Sequence, residues 1–239
     1  MTAAGAGDDV VPGVVLAVYA HPNDAEVSCG GTLASWAAAG AEVRLIVATR
    51  GEKGSSDPGT DPEALAERRA GEVADAARTL GLAAAEGLGY ADGEVSNTAD
   101  LRGRLVGAVR AHRPDTVMCP DPTAVFFGDG YVNHADHRAL GWATLDAIAP
   151  AAASPLYFPG AGPPHQVARV YLSGTLEPSV WVDIGDSLDV KVAALACHRS
   201  QLSEKGDWLR DFVRRRAEDT GREAGLRCAE AFRRLTFTR

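Results

Sequence analysis

The sequence predicts an α/β fold, Rossmann-like, in which a mostly parallel sheet is covered by flanking helices. Residues 14–20 and 41–49 are continuous apolar, β-prone runs without polar alternation, which is typical of strands covered on both faces. Between these runs, residues 26–39 repeat apolar side chains at helical spacing and stop before Gly40. Because strands and helices keep alternating along the chain, a doubly wound sheet is the architecture that buries both.

The later elements repeat this alternation. Asp61 and Pro62 favour a helix start, with Asp as the N-cap and Pro at the first helical position, and the helix is expected to end at Leu80 before Gly81. The remaining predicted strands are residues 87–90, 115–119, 167–172 and 180–184. The remaining predicted helices are residues 100–112, 133–148, 191–201 and 209–232, and the predicted loops are residues 50–60 and 149–164.

Composition and charge limit the domain count and the partners. At about 150 residues per domain, 239 residues favour one domain, which we expect at residues 13–239 after a flexible tail at residues 1–12. The net charge of −8 argues against nucleic acid and anionic membrane surfaces as partners. Every apolar run is far shorter than the roughly 20 residues that span a bilayer. A small-molecule partner and a homo-oligomeric assembly are the remaining expectations.

The N-terminus and the cysteines bear on location. The first residues carry two Asp and no basic stretch, so a secretory signal is not indicated and a cytoplasmic location is expected. Four cysteines are scattered without CxxC spacing. In a chain of this length such cysteines are expected to be buried thiols rather than disulfides or a zinc knot.

Two polar segments lie where such a sheet binds ligands, beyond the carboxyl ends of its strands. The first, residues 20–26, follows the first strand and contains an imidazole and carboxylates; the second, residues 133–137, contains two imidazoles and a carboxylate. A hydrolytic zinc site needs three nitrogen or oxygen ligands and one open position, and two His with one Asp satisfy that count. The alternative is two unrelated polar loops, in which these His cap helices or lie at the surface.

Together the two segments resemble the two signatures of the PIG-L/LmbE-like deacetylase family. The resemblance extends to residues 49–54, to the helix pattern at residues 69–72 with Leu80 and Gly81, and to residues 191–201, so that it covers residues 14–202. It implies an LmbE-like deacetylase fold and a zinc-dependent hydrolase that removes an N-acyl group, expected to be acetyl, from an amino-sugar derivative.

Carried over residue by residue, the resemblance implies that His21, Asp24 and His137 bind Zn²⁺, and the same donors suit Fe²⁺. His134 is similar to the family histidine that polarises the substrate carbonyl or protonates the departing amine. Asp136 would hold a histidine in its working tautomer.

The resemblance also implies three substrate-binding residues, Arg69, Asp92 and Glu52. Simpler roles exist for two of them. Arg69 could pair with Glu67 or Glu72 on an exposed helix, and Asp92 lies in a sequence suited to an ordinary turn.

The sequence departs from the family at Asn23, where the family pattern has the Asp that acts as general base. An amide oxygen can orient water but cannot hold a proton at neutral pH. Three interpretations follow: another group such as Asp136 or His134 serves as base, the protein has become a binder, or the residue was changed to trap a substrate.

Three further functions compete with an amino-sugar deacetylase. A non-catalytic sugar- or metabolite-binding protein is favoured by Asn23, and the family also includes thioether-conjugate amidases. A nucleotide-binding domain would use the glycine-rich turn at residues 29–32, although the spacing of a dinucleotide motif is missing.

Overall fold

The computed structural model describes residues 10–205 and 208–237, with the side chains of residues 203–205 outside the description. Most of the predicted N-terminal tail therefore lies outside the described residues. The strands are β1 (Val14–Tyr19), β2 (Glu42–Thr49), β3 (Ala84–Tyr90), β4 (Thr116–Pro120), β5 (Phe126–Phe127), β6 (Tyr131–Val132), β7 (Arg169–Ser173), β8 (Val180–Asp183) and β9 (Ala229–Thr236). The helices are α1 (Asp24–Ala38), α2 (Pro62–Leu80), α3 (Ala99–His112), α4 (Ala135–Asp146), α5 (Leu188–Leu195), α6 (Arg199–Lys205) and α7 (Trp208–Ala224), and a wider helical turn (Ala147–Ala152) follows α4.

Seven strands form one sheet in the order β3-β2-β1-β4-β7-β9-β8. The first five of these are mutually parallel, and β9 runs antiparallel to both β7 and β8. The predicted α/β fold with a mostly parallel sheet is confirmed. The strand order reverses direction at β1, so a crevice opens between the carboxyl ends of β1 and β4, which is where open α/β sheets bind ligands.

Both faces of the sheet are buried, as the continuous apolar strands predict. Along β1, Leu16 and Val18 belong to one hydrophobic cluster, while Val15 and Tyr19 belong to the cluster on the opposite face. Helices cover both clusters because a strand buried on two faces needs a packed layer on each.

The helix ends follow the predicted capping chemistry at α2. The Asp61 carboxylate accepts a hydrogen bond from the Glu63 N–H at 3.0 Å, and Gly81 ends the helix with a φ of 76°. At α4, Gly141 decides how closely the helix lies on β4, because a Cβ there would be 2.5 Å from the Pro120 carbonyl oxygen. This close approach brings the start of α4 to the crevice.

The predicted helix at residues 209–232 is wrong beyond Ala224. Gly225, with a φ of 72°, terminates α7, and the chain then forms strand β9. The reason is tertiary: β9 pairs with β7 and β8 and buries Phe232 against Tyr171, a contact that local helical spacing cannot reveal.

Three smaller corrections concern element boundaries. The predicted helix at residues 191–201 is two helices, α5 and α6, interrupted before Arg199. The third strand begins at Ala84, three residues before the predicted start, because pairing with β2 extends it. A short hairpin, β5–β6, was not predicted and leads directly into the start of α4.

Among the described residues, no helix is long and apolar enough to cross a membrane.

Candidate metal centre

The turn from β1 into α1 places His21 and Asp24 side by side. Asn23 is the N-cap of α1 and has a φ of 85°, a left-handed conformation that Asn adopts more readily than most residues. The His21 backbone N–H donates to Asp24 Oδ2 at 2.7 Å, which holds the carboxylate against the preceding turn. The side chains of both residues are consequently directed to the crevice.

The start of α4 supplies the second half of the centre. His134 is the N-cap of α4, and its Nδ1 accepts a hydrogen bond from the Asp136 N–H at 3.2 Å. Asn133, just before the helix, donates from its amide to the Ala124 carbonyl at 2.8 Å, so its Oδ1 faces His137 Nδ1 at 3.1 Å. The hairpin that precedes α4 thus sets the orientation of the His137 ring.

Three potential ligand atoms converge between these two helix starts. The distances are 3.2 Å from His21 Nδ1 to Asp24 Oδ2, 3.2 Å from His21 Nδ1 to His137 Nε2, and 3.1 Å from His137 Nε2 to Asp24 Oδ2. Ligands at ordinary bond lengths from a tetrahedral zinc ion lie roughly 3.3–3.6 Å from one another. The triangle fits a metal ion to within a few tenths of an ångström.

In each histidine, the ring nitrogen that points away from Asp24 determines whether the nitrogen that faces Asp24 carries a proton. His21 Nε2 faces two carboxylates, Asp92 Oδ1 and Asp136 Oδ2, each at 3.1 Å, and so carries the proton that they accept. His137 Nδ1 donates to the Asn133 amide oxygen. In the neutral rings, His21 Nδ1 and His137 Nε2 therefore direct lone pairs toward Asp24. A cation is the group that satisfies two nitrogen lone pairs and a carboxylate together.

The pKa shifts of His21 and Asp24 both show that the centre favours positive charge on His21 and negative charge on Asp24. Burial lowers the pKa of His21, but hydrogen bonds to Asp24 and Asp92 outweigh it and raise the pKa to about 10. Burial raises the pKa of Asp24, but His137 and His21 hold it well below its usual range. A proton on His21 therefore occupies the position that a metal ion would take.

Buried carboxylates support the centre from the neighbouring loop. Asp136 is fully buried and accepts from the N–H groups of Gly93 and Val95 at 2.8 and 3.1 Å, as well as from His21. Asp92 contacts His21 directly, and the hydrogen bond from His21 lowers the pKa of the Asp92 carboxyl group. The loop after β3 is thus attached to the centre through two acidic side chains.

Glu52 and Arg69 lie one step farther out. The Glu52 carboxylate accepts from the Asp92 N–H at 3.0 Å. Arg69 is buried and donates to the carbonyls of Gly51 and Gly54 at 2.5 and 2.8 Å, so it holds the loop after β2. The alternative role of Arg69 at an exposed helix surface is wrong, because α2 turns this residue inward.

His134 is the most accessible imidazole of the group, with 43% of its side chain exposed. Burial and the neighbouring His21 lower its pKa, which favours the neutral ring at pH 7. Since its Nδ1 accepts from the Asp136 N–H, the neutral ring carries its proton on Nε2. His134 is therefore a hydrogen-bond donor beside the three converging ligand atoms.

Gln201 is a neighbour of the centre that the sequence pattern does not indicate. Its amide N–H donates to the Pro22 carbonyl at 2.9 Å, and its Oε1 accepts from Asn23 Nδ2, also at 2.9 Å. Because the Pro22 carbonyl can only accept, it fixes the orientation of the Gln201 amide, with the NH₂ group toward Pro22. The Gln201 Oε1 therefore faces Asn23, and Asn23 must present its NH₂ group to it. The available signal was the position of Gln201 within residues 191–201, but its partner lies 178 residues away.

The glycine-rich turn at residues 29–32 is already occupied by a side chain. The Glu230 carboxylate accepts from the N–H groups of Gly31 and Thr32 at 3.0 and 2.8 Å. A Cβ at Gly31 would be 2.8 Å from Ile184, so this glycine serves the packing of α1. These amides are engaged within the protein and do not form a phosphate cradle.

Comparison with known proteins identifies the relatives of this chain. The family model described as GlcNAc-PI de-N-acetylase (PIG-L) matches residues 16–148, more than half of the chain. Diacetylchitobiose deacetylase of Thermococcus kodakarensis is 31% identical over 224 residues, covering 92% of this chain and 82% of the relative. 1D-myo-inositol 2-acetamido-2-deoxy-alpha-D-glucopyranoside deacetylase 2 of Saccharopolyspora erythraea is 32% identical over 247 residues, covering 83% of this chain and 87% of the relative.

A solved structure gives the same answer for the fold. N,N'-diacetylchitobiose deacetylase from Pyrococcus horikoshii, complexed with its inhibitor MPG, has a TM-score of 0.87 at 29% identity and covers 94% of this chain and 84% of that chain. The matched family segment includes both helix starts that form the centre. The chain belongs to the PIG-L family of de-N-acetylases, and its fold is that of the LmbE-like deacetylases.

Proposed function

We propose that this protein is a zinc-dependent hydrolase that removes an N-acetyl group from an amino-sugar derivative. The observation that carries the proposal is the convergence of His21 Nδ1, Asp24 Oδ2 and His137 Nε2 within 3.1–3.2 Å of one another. The names of two relatives add support, since both are deacetylases of amino-sugar compounds.

The metal ligands in this proposal are His21, Asp24 and His137, with Zn²⁺ as the ion and Fe²⁺ as the alternative that the same donors accept. When bound, zinc supplies a Lewis acid that polarises an amide carbonyl and lowers the pKa of water to about 7. The protein holds the ligands in orientation from two sides: Asp92 and Asp136 both face His21 Nε2, and Asn133 accepts from His137 Nδ1.

His134 is proposed to act on the substrate amide. Its Nε2–H donates to the carbonyl oxygen as negative charge develops there. The departing amine takes its proton from the attacking water, because the neutral ring, whose Nδ1 accepts from the Asp136 N–H, has no second proton to give. Asp136 is assigned a positioning role rather than that of a base, because it is fully buried and already accepts from Gly93, Val95 and His21.

Asn23 is proposed to orient the attacking water and to limit turnover. Its NH₂ group is directed to Gln201, which leaves Oδ1 as the atom that can accept from water. Because an amide does not hold a proton, catalysis lacks a contribution of about 10² to 10⁴ in rate that a general base supplies.

The loops around the centre are proposed to bind the sugar. Asp92 reaches the crevice and is assigned to a sugar hydroxyl. Glu52 holds the Asp92 backbone, and Arg69 holds the loop after β2, so we propose that these two residues shape the sugar site from behind it.

The test is acetate release from N-acetylglucosamine derivatives by the zinc-loaded protein and by Asn23→Asp. We expect measurable release by the unaltered protein and a rise of about 10²-fold or more in kcat for Asn23→Asp. Equal rates would place the base elsewhere and overturn the role of Asn23. The absence of release from both proteins, each loaded with zinc, would contradict the deacetylase itself.

A non-catalytic sugar-binding protein is the second candidate, and Asn23 is the observation that favours it. In that case the zinc-loaded chain would bind N-acetylglucosamine derivatives tightly, and Asn23→Asp would not release acetate. Calorimetric binding measured beside the acetate assay separates the two functions.

The organisation of the chain completes the proposal. We propose one domain at residues 13–239 in a cytoplasmic protein. We also propose a homo-oligomer, for which the β5–β6 hairpin offers exposed apolar side chains: Phe126, Tyr131 and Val132 are 65%, 54% and 58% exposed. Light scattering of the protein and of Phe126→Ser tests this arrangement, with a lower mass expected for the variant.

A further inference from the structure

A groove of about 570 Å³ adjoins the metal centre along α4. Val95 and Ala135 line its inner end, and these residues flank the centre: the Val95 N–H donates to Asp136, and Ala135 follows His134. Arg138 and Trp142 line the groove farther out on the same helix. The groove therefore begins where the proposed amide site ends.

His134, Arg138 and Trp142 are spaced four residues apart and lie along one face of α4. At a helical rise of 1.5 Å per residue, each step is about 6 Å along the axis. This spacing is comparable to one sugar ring. A substrate whose amide lies at His134 would extend past Arg138 and then Trp142.

Arg138 carries a charge that this groove does not neutralise. Within residues 10–205 and 208–237, its guanidinium forms no ion pair, and its buried Nε has no hydrogen-bond partner. The two neighbouring charged residues differ from Arg138 because both are hydrogen-bonded to Asn97: Asp146 accepts from the Asn97 amide, and Arg102 donates to the Asn97 oxygens. A partly buried cation in this position favours an anionic ligand group.

Trp142 supplies an apolar surface at the outer end. It is 46% exposed although it is large and hydrophobic. An exposed indole beside a groove is suited to packing against a sugar ring or another flat ring.

We infer that the groove is a binding subsite for a negatively charged substituent of the amino sugar. A carboxylate or phosphate on that substituent pairs with Arg138, and any ring beyond it packs on Trp142. The inference rests on the proposed function and narrows its substrate class to acidic conjugates of N-acetylglucosamine.

The test compares two glycosides of N-acetylglucosamine that differ in charge alone, one with a carboxymethyl and one with a carbamoylmethyl aglycone. The wild-type protein is expected to prefer the acidic glycoside in kcat/KM. Arg138→Gln is expected to lose about 10- to 100-fold on the acidic glycoside, the effect of one charge-assisted hydrogen bond, and to change less than about twofold on the neutral one. Arg78→Gln, on α2, makes the same change in net charge and serves as the control.

Equal losses on both glycosides, or no loss on the acidic one, would overturn the subsite. If neither glycoside is hydrolysed by any protein, the proposed function fails, and calorimetric binding of the two glycosides to wild type and Arg138→Gln tests the subsite separately. Trp142→Ala should retain the oligomeric mass of the wild type. A fall in mass would show that a second copy covers the groove, and would also overturn the inference.

Discussion

Two buried ionic clusters lie along α1, and they differ in whether their charges are matched within the protein. In the first, Lys191 Nζ lies 2.5 Å from Glu230 Oε1 and donates to the Val27 carbonyl at 2.9 Å. The Glu230 oxygens also accept from the backbone N–H groups of Gly31 and Thr32. The lysine contacts the carboxylate directly, and backbone groups supply the other hydrogen bonds of both side chains.

The second cluster is the metal centre, where acceptors are in excess. His21 and His137 direct ring nitrogens at each other and at Asp24, while Asp92 and Asp136 occupy the far side of His21. Bringing acceptors this close costs free energy unless a proton or a metal ion lies between them. A cluster whose charges are paired within the protein serves the fold, whereas a cluster with surplus acceptors indicates a site for a cation.

The largest expected effect is on catalysis at the second cluster. His137→Ala removes one of three proposed ligands, and we expect acetate release to fall about 10³-fold or more, since a 10³-fold loss corresponds to about 4 kcal/mol of transition-state stabilisation. The assay is kcat/KM on an N-acetylglucosamine derivative with zinc present. His112→Ala, which alters a histidine near Glu86 away from the centre, should retain the wild-type rate. A similar loss in both variants would refute the assignment.

The first cluster should respond in stability instead. Lys191→Met leaves the Glu230 carboxylate buried without its cation, and we expect the free energy of unfolding to fall by about 3–5 kcal/mol. Chemical denaturation measures this change. Lys53→Met removes the exposed pair with Glu94 and should cost less than about 1 kcal/mol. If the folded Lys191→Met protein loses its zinc as well, the two clusters are not separate.

Asp136→Asn weakens the support of the centre without removing a ligand. The neutral amide is a poorer acceptor for His21 Nε2–H and for the two loop N–H groups, so we expect zinc affinity to fall about 10- to 100-fold. Competition with a chromophoric chelator gives the affinity. Asp146→Asn, at an exposed contact with Asn97, is the matched control and should bind zinc as tightly as wild type.

Taken over a single pH unit, the pH dependence of zinc binding is the smallest of the expected effects. In the metal-free protein the pKa of His21 is raised from 6.5 to about 10, so at pH 7 this residue carries a proton that zinc must displace. Between pH 6.5 and 10, affinity should therefore rise with pH, by up to about tenfold per unit, because the free centre holds a proton that the bound centre lacks.

Calorimetry in two buffers of different ionisation enthalpy measures the proton release. About one proton per zinc at pH 7 is expected from His21. Zinc binding without proton release would contradict the charge state assigned to His21.

The sequence predicts the strands of the sheet where consecutive residues are apolar. The runs at residues 14–20 and 41–49 are apolar at consecutive positions, which is typical of strands covered on both faces. Strand β9 was not predictable, because its residues fit a helix locally, and only pairing with β7 and β8 makes it extended. Gly225 was the local signal that α7 ends.

The candidate site divides in the same way. His21, Asp24, His134 and His137 lie in two short segments whose positions after strands predict that they meet. Gln201 and Asn133 act through hydrogen bonds whose partners depend on tertiary packing or on side-chain orientation, and no local spacing specifies those contacts. The groove beside α4 is likewise a product of three separate segments of the chain.

The most direct test of the metal centre is the zinc stoichiometry of chelator-treated, zinc-reloaded protein, measured by elemental analysis for wild type and for Asp24→Asn. The substitution preserves shape and removes the carboxylate that contacts both histidines. We expect about one zinc per chain in the wild type and a large reduction in Asp24→Asn at the same free zinc concentration. A wild-type protein that binds no zinc, or an Asp24→Asn protein that binds it equally well, would contradict the proposed metal centre.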